Sequence, residues 1–143
     1  MIVLDTNVVS ELMHRRGSSI VRQWVATQPI TTFFTTTITQ AETLYGIALL
    51  PFGKRQSELS RSAQLMFVED FAGRILPFDE TAAIAFAKIA AARKRMGRPI
   101  SQADAQIASI CYAHQATLAT RNVADFAGCE VAIINPWEFN LSQ

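Results

Sequence analysis

The chain has 143 residues, of which 50% are hydrophobic and 17% are charged, and its formal net charge is +1. This length suits one domain with a real core and is too short for two ordinary domains. The nearly neutral charge excludes nucleic-acid binding through a global positive field, so a polyanionic partner would need a local basic patch.

Two further features bound the class of protein. Cys111 and Cys129 have no spacing typical of a metal site, and no apolar run approaches the roughly 18 residues of a membrane span. The apolar stretch at the N-terminus is also too short for a signal peptide. We therefore expect a soluble, cytoplasmic protein with free thiols and no membrane partner.

Strands and helices alternate from the first residues on. Ile2–Leu4 is a short buried strand that ends at Asp5, and a turn through Thr6 and Asn7 leads into a helix. A break at 17–19 and a second helix up to Pro29 follow. Residues 30–38, β-branched or aromatic almost throughout, predict a strand. The next predicted helix has an apolar face made of Ala41, Leu44, Tyr45, Ala48 and Leu49.

The second half of the chain continues this order. Residues 54–72 are typical of a long amphipathic helix, 74–78 are extended, and an Ala-rich helix begins at Asp79 or Glu80 and ends near 96. A helix from 101, a strand over 116–120, a turn with one helical turn over 121–128 and a strand over 131–134 complete the chain. The fold class is therefore α/β, with a mostly parallel central sheet of four to five strands flanked by helices.

Four carboxylates lie close to predicted helix starts: Asp5, Glu42, Asp104 and Asp125. The last three follow the capping-box pattern or its Asp variant, in Thr39-x-x-Glu42, Ser101-x-x-Asp104 and Asn122-x-x-Asp125, and for any one of them alone helix capping is the better explanation. However, Glu42 and Asp104 are spaced from the apolar residues of their helices so that they fall on the same face. Acids rarely lie unpaired on such an apolar face. Together the acids indicate a site.

Carboxylates gathered at the carboxyl ends of parallel strands repel one another, and a divalent cation relieves that repulsion. Mg²⁺ or Mn²⁺ suits the site, because the chain has no cluster of cysteine or histidine that would select zinc. Such a site activates water and stabilises the leaving oxygen of a phosphodiester. The sequence therefore predicts metal-assisted phosphodiester hydrolysis.

Four stretches, taken together, carry a family resemblance: Leu4–Leu12, Thr39–Glu42, Gly97–Ala108, and Ala119–Phe126 with Asn135–Trp137. They resemble the PIN-domain ribonucleases, and more closely the VapC-type toxins of toxin–antitoxin pairs in their FitB-like branch. The resemblance runs from Met1 to about Glu138. It implies a single PIN-like domain over residues 1–143, an endoribonuclease dependent on Mg²⁺ or Mn²⁺, a cognate antitoxin that blocks the site, and a homodimer that reaches operator DNA only through the antitoxin.

The same resemblance implies the site residues. Its metal-binding acids fall on Asp5, Glu42 and Asp104, and the fourth place lies in the segment from Asn122 to Asp125. FitB-like proteins can carry Asp where this chain has Asn122, which is a neutral oxygen ligand at best. We therefore expect one tight metal ion, and a weak second ion held by Asp125.

We assign a role to each of these site residues as a hypothesis. Asp5 and Asp104 would bind the main ion directly or through water, and Glu42 would be a ligand or would accept the proton of the attacking water. Asp125 and Asn122 would give outer support. Thr6 and Thr120 would orient a carboxylate or a bound water by their hydroxyls, although a role as simple turn residues is equally compatible with the sequence.

A basic run follows the Ala-rich helix: Arg93, Lys94, Arg95 and Arg98. Its cations either complement the helix dipole or contact an RNA backbone on its way to the site. Leu12, Met13, Trp24 and the aromatic segment 54–72 are candidates for a groove that holds a partner segment.

Two other functions stay open. A haloacid-dehalogenase-like phosphatase also has an Asp at the end of its first strand, but it needs a second Asp two residues later, where this chain has Asn7. The other alternative is a non-enzymatic regulator that binds its partner and keeps the metal site only for structure.

Overall fold

The structure is a computed structural model that describes residues 1–140. In this range five parallel strands form one sheet in the order β3-β2-β1-β4-β5. The predicted α/β architecture with a mostly parallel sheet of four to five strands is confirmed. The strands are β1 (Ile2–Leu4), β2 (Phe33–Thr36), β3 (Ile75–Leu76), β4 (Thr117–Ala119) and β5 (Ile133–Ile134).

The central strand β1 is buried on both faces. Because side chains alternate along a strand, Ile2 and Leu4 enter one hydrophobic cluster while Val3 enters another on the opposite face of the sheet. A strand enclosed in this way is continuously apolar, which explains why its sequence shows no alternation with polar residues.

Six α-helices flank the sheet within the described range. They are α1 (Thr6–Met13), α2 (Ser19–Ala26), α3 (Thr37–Ala48), α4 (Lys54–Leu65), α5 (Glu80–Arg95) and α6 (Gln102–His114). A π-helical turn, Met66–Asp70, continues α4, and short 3₁₀ turns cover Ile30–Thr32, Val123–Phe126 and Pro136–Glu138. None of the helices in residues 1–140 is both long and apolar enough to cross a membrane.

One helix differs from its prediction. The strand predicted over 30–38 covers only 33–36, because α3 already begins at Thr37. Thr36 caps this helix: its hydroxyl accepts a hydrogen bond of 3.0 Å from the backbone N–H of Thr39. The buried face of α3 is made of Thr39, Thr43 and Ile47. The apolar face seen in the sequence does not lie against the core, because Leu44, Tyr45 and Leu49 are exposed.

Candidate active site

The carboxyl ends of the two central strands bring Asp5 and Thr120 together. Leu4 of β1 pairs with Ala119 of β4, so the next residue of each strand reaches the same edge of the sheet. There the hydroxyl of Thr120 donates a hydrogen bond of 2.7 Å to Oδ2 of Asp5. Asp5 is only 4% exposed and Thr120 is completely buried. The first strand thus delivers a carboxylate into the interior of the protein.

Asp5 also caps α1. Its Oδ1 accepts a hydrogen bond of 2.8 Å from the backbone N–H of Thr6, so the cap is Asp5 rather than Thr6 or Asn7. Burial raises the pKa of the Asp5 carboxyl, and the negative charges of Asp104 and Glu42 raise it further against the opposing hydrogen bonds. Asp5 is a carboxylate whose ionised form the surrounding protein disfavours.

Glu42 reaches the same edge from α3. The hydroxyl of Thr6 donates to Oε1 of Glu42 at 2.7 Å and lies 3.2 Å from the hydroxyl of Thr39. Because Thr36 is the cap of α3, the capping-box interpretation of Thr39-x-x-Glu42 is wrong. The expected apolar surroundings of Glu42 are also wrong, since its side chain is exposed to solvent. Glu42 is thus a solvent-facing acid held at the site by Thr6.

Asp104 lies in the first turn of α6 and is half-buried. The capping interpretation is confirmed in one half, because the Ser101 hydroxyl accepts a hydrogen bond of 3.2 Å from the backbone N–H of Asp104. Burial raises the pKa of the Asp104 carboxyl. The charges of Asp125 and Glu42 act in the same direction, while the hydrogen bond with Ser101 and the charge of Arg93 oppose them.

The segment after β4 places Asn122 and Asp125 on the surface beside this group. The backbone N–H of Asn122 donates to the Thr120 hydroxyl at 3.1 Å. The side chain of Asn122 does not cap the 3₁₀ turn that follows, so the capping interpretation of Asn122-x-x-Asp125 is wrong. Asp125 is close enough to raise the pKa of Asp104. Asp5, Glu42, Asp104 and Asp125 thus form one electrostatically linked group, which we name the acidic site.

Asn7 is a residue of this site that the sequence reasoning missed. Its Nδ2 donates to Oδ2 of Asp5 at 3.2 Å and to the Thr120 hydroxyl at 3.3 Å, while its Oδ1 accepts from the backbone N–H of Arg121 at 3.2 Å. The amide therefore joins the ends of β1 and β4. The only available signal was its position two residues after Asp5, where the sequence also suggests a simple turn.

Arg93 does not belong to an RNA-binding surface. Its side chain is only 4% exposed. Nε donates to the carbonyl of Arg98 at 2.7 Å, and Nη1 donates to the carbonyls of Asp125 and Ala127 at 2.6 and 3.0 Å. Since the guanidinium is buried and donates its hydrogen bonds to these carbonyls, the prediction that Arg93 contacts RNA is wrong. Lys94, Arg95 and Arg98 are exposed.

The donor chemistry of the acidic site fits a hard divalent cation. Its side chains offer carboxylate oxygens, and positive charge among them would favour the ionised forms that burial and mutual repulsion disfavour. Among the described residues, no group of three or more acidic, histidine or cysteine side chains is already arranged to hold a metal ion. Glu42 and Asp125, the two exposed acids of the site, have room to turn toward a bound ion.

Comparisons with known proteins cover nearly the whole chain. A family model described as PIN domain matches residues 2–127. VapC ribonuclease Y4jK of Sinorhizobium fredii is 40% identical over 138 residues, and toxin FitB of Neisseria gonorrhoeae is 39% identical over 137 residues; each match covers 96% of this chain and 99% of the relative. The solved structure of FitAB bound to an IR36 DNA fragment has a TM-score of 0.91 at 37% identity and covers 100% of both chains. The matched residues include the whole acidic site.

Proposed function

Because this chain belongs to the PIN-domain family, as its sequence motifs predicted, we propose that it is an endoribonuclease toxin that hydrolyses RNA phosphodiester bonds. The observation that carries the proposal is the state of Asp5. This carboxylate is buried at the end of the central strand, and its pKa is raised by burial and by two neighbouring acids. A helix cap does not require a buried charge among like charges, whereas acids perturbed in this way cluster at functional sites.

The proposed cofactor is Mg²⁺ or Mn²⁺. Asp5 and Asp104 are its proposed ligands, Glu42 is a third ligand or the acceptor of the water proton, and Asp125 with Asn122 gives the weaker outer support. An ion held there supplies a more acidic water and stabilises negative charge on the phosphate. The family relationship and the set of oxygen donors support this proposal, and the haloacid-dehalogenase-like alternative is set aside because the chain matches a different family.

The residues of the chain have distinct proposed tasks. Thr120, Thr6 and Asn7 hold the Asp5 carboxylate in one orientation through the contacts described above. Glu42 is the proposed acceptor of the water proton, because it is exposed and keeps Oε2 outside its bond to Thr6. The water oxygen forms a bond to phosphorus, and one water proton moves to Glu42. The bond to the leaving ester oxygen breaks, and that oxygen takes a proton from solvent.

The RNA backbone is proposed to approach along the exposed cations that follow α5. Lys94, Arg95 and Arg98 remain candidates for phosphate contacts after the correction of Arg93. They lie beside the turn that carries Asp125, because the Arg93 guanidinium ties the end of α5 to that turn. With a net charge of only +1, the chain depends on such a local patch.

A cognate antitoxin, a second copy of the chain and operator DNA reached through the antitoxin are the proposed partners. The FitAB complex with DNA supports this set. So does the surface, since Tyr45 and Leu49 of α3 are exposed and Phe52 is 99% exposed. A cavity of about 290 Å³ is also a candidate for the predicted partner groove, and it is lined by Leu12, Met13, Met66 and Phe71 among others.

The prediction was wrong for one residue of that partner groove. Trp24 does not line the cavity, because it is buried against Phe33 with ring centroids 5.3 Å apart. The proposed compartment is the cytoplasm, where the RNA substrate is found, and the buried free thiols of Cys111 and Cys129 agree with it.

The proposal is tested with the purified chain in the absence of its antitoxin. Labelled single-stranded RNA is incubated with Mn²⁺ or with a chelator, using wild type, Asp5→Asn, Asp104→Asn and the matched control Glu69→Gln, which changes an exposed acid outside the site. We expect chelator-sensitive cleavage by wild type and the control, and none by the two site variants. Cleavage by both site variants would refute the site assignment. A folded wild type that cleaves no RNA would favour the non-enzymatic regulator.

A further inference from the structure

A second cavity adjoins the acidic site and is not used by the mechanism above. It has a volume of about 250 Å³ and shares Thr6 and Glu42 with the site. We call it the α3 groove. Its remaining walls come from α1, from α3 and from α4, and they include Thr43, Gly46, Arg55 and Leu59.

Thr43 contributes a hydroxyl that the fold does not use. The side chain is only 9% exposed, and its Oγ1 has no hydrogen-bond partner among residues 1–140. A buried polar atom without a partner lowers the stability of a protein, so such atoms are rare and call for an explanation. Because Thr43 lines the groove, rotation of its side chain would bring this buried hydroxyl to a bound molecule, which can supply the missing partner.

Gly46 is a second feature that the fold does not require. It lies within α3, where glycine is less favourable than alanine. A Cβ atom added at this position would meet no atom within 4 Å, so packing in the described part of the chain does not exclude a side chain there. The missing side chain instead keeps the wall of the α3 groove open and lets a ligand approach the helix backbone.

The chemistry of the groove suits a nucleotide. Arg55 is exposed and forms no ion pair among the described residues, so it can face a phosphate. The floor is apolar through Ile47, Leu50 and Leu59, which suits the flat face of a base. The volume lies below the roughly 300 Å³ at which pockets for drug-sized ligands begin, so the groove admits one base or one side chain.

We propose that the α3 groove binds one nucleotide of the RNA next to the scissile phosphate. This inference rests on the proposed ribonuclease function. The base lies against the open wall at Gly46, the Thr43 hydroxyl bonds to its edge, and Arg55 contacts the adjoining phosphate. The groove then determines which nucleotide is preferred beside the cut.

Two substitutions test the groove without damaging the fold. Thr43→Val replaces an unpaired hydroxyl by a methyl group of the same size, and Gly46→Leu fills the groove while improving helix propensity. Their matched controls are Thr81→Val on α5 and Ala48→Leu on another part of α3, neither of which lines the groove. Thermal unfolding should show that both groove variants are at least as stable as wild type.

The readout is cleavage of a labelled single-stranded RNA pool of randomised sequence with Mn²⁺, followed by sequencing of the new ends. We expect kcat/KM to fall roughly two- to tenfold in Thr43→Val and roughly tenfold or more in Gly46→Leu, with an altered nucleotide preference beside the cut. The controls should match wild type in both respects.

The outcomes separate this inference from the function beneath it. If wild type cleaves and Asp104→Asn does not, but both groove variants cleave with unchanged rate and preference, the groove inference alone is overturned. If the groove variants cleave normally and only resist inhibition by the co-expressed antitoxin, the groove binds a protein segment and not RNA. If wild type cleaves no member of the pool, the ribonuclease function fails as well.

Discussion

Replacing Arg93 by methionine tests how much this buried arginine stabilises the fold. The substitution keeps much of the side-chain length but removes the donors for the three backbone carbonyls of Arg98, Asp125 and Ala127. These hydrogen bonds are only partly buried, and a hydrogen bond to a charged group contributes about 1.5–3 kcal/mol. Release of the buried guanidinium, which is costly to desolvate, offsets part of this loss. We therefore expect the free energy of unfolding to fall by about 2–4 kcal/mol.

Urea unfolding followed by circular dichroism measures this change, and a thermal scan should show a Tm lowered by roughly 5–15 °C. The matched control is Arg95→Met, which removes an exposed cation from the same helix and should change stability by no more than about 0.5 kcal/mol. A loss below about 1 kcal/mol in Arg93→Met would refute the reasoning. It would mean that the three carbonyls find other partners and that the turn bearing Asp125 does not depend on Arg93.

Three other predictions concern the site. In chelator at pH 8, Asp5→Asn should unfold at higher urea than wild type. Burial raises the folded-state pKa of Asp5 above 3.8, so the ionised carboxylate lowers the stability of the wild type at a pH above that pKa. The stability advantage of the variant should therefore shrink as the pH falls through the pKa. Equal or lower stability of the variant at pH 8 would contradict this prediction. Asn7→Ala should lower kcat roughly tenfold or more, because the Asp5 carboxylate loses a donor and the ends of β1 and β4 lose their bridge; a wild-type rate in the folded variant would contradict the positioning role. Changing Lys94, Arg95 and Arg98 together to glutamine should weaken RNA binding. The slope of log K against log salt should also fall by about 0.7 for each phosphate that these cations neutralise in the wild type. An unchanged slope would show that the three cations do not contact the RNA backbone.

The position of Asp5 could be predicted from the sequence because the rule behind it is local. Three apolar residues followed by an acid predict a buried strand with a carboxylate at its end, and strand ends of a parallel sheet meet at one edge. The same rule put Thr120 at the end of another strand, and the structure brings the two residues together. Nothing in the local pattern, however, showed that the amide of Asn7 spans the gap between the two strands, because its partner is the backbone of Arg121.

The start of α3 was mispredicted because threonine favours strands by propensity and caps helices by its hydroxyl. Thr35 and Thr36 do pair with β3, yet Thr36 also bonds to the backbone N–H of Thr39. The apolar stripe through Leu44 and Tyr45 then suggested an inward face, although it faces solvent. Periodicity identifies an apolar stripe, but it does not say whether the stripe meets the core of its own chain or another molecule.

The role of a charged residue is also hard to predict from sequence, as Arg93 shows. Its neighbours Lys94 and Arg95 are also positively charged and lie on the same helix. Arg93, however, donates hydrogen bonds to carbonyls that lie 32 and 34 residues further along the chain. A one-dimensional pattern cannot separate a buried arginine from an exposed one at such range. The partners of a cation decide its role, and tertiary structure provides them.

The central strand has a consequence for the order in which the acidic site assembles as the chain is synthesised. β1 spans Ile2–Leu4, whereas its partner β4 begins at Thr117, and the hydrogen bond from Thr120 to Asp5 joins residues 115 positions apart. A nascent chain that has not reached Thr117 lacks two of its five strands, and it exposes an unpaired edge of β1. A fragment that ends before Thr117 lacks Thr120 and Asp125, and with them an assembled acidic site. The acidic site can therefore form only after β4 has been synthesised and has paired with β1.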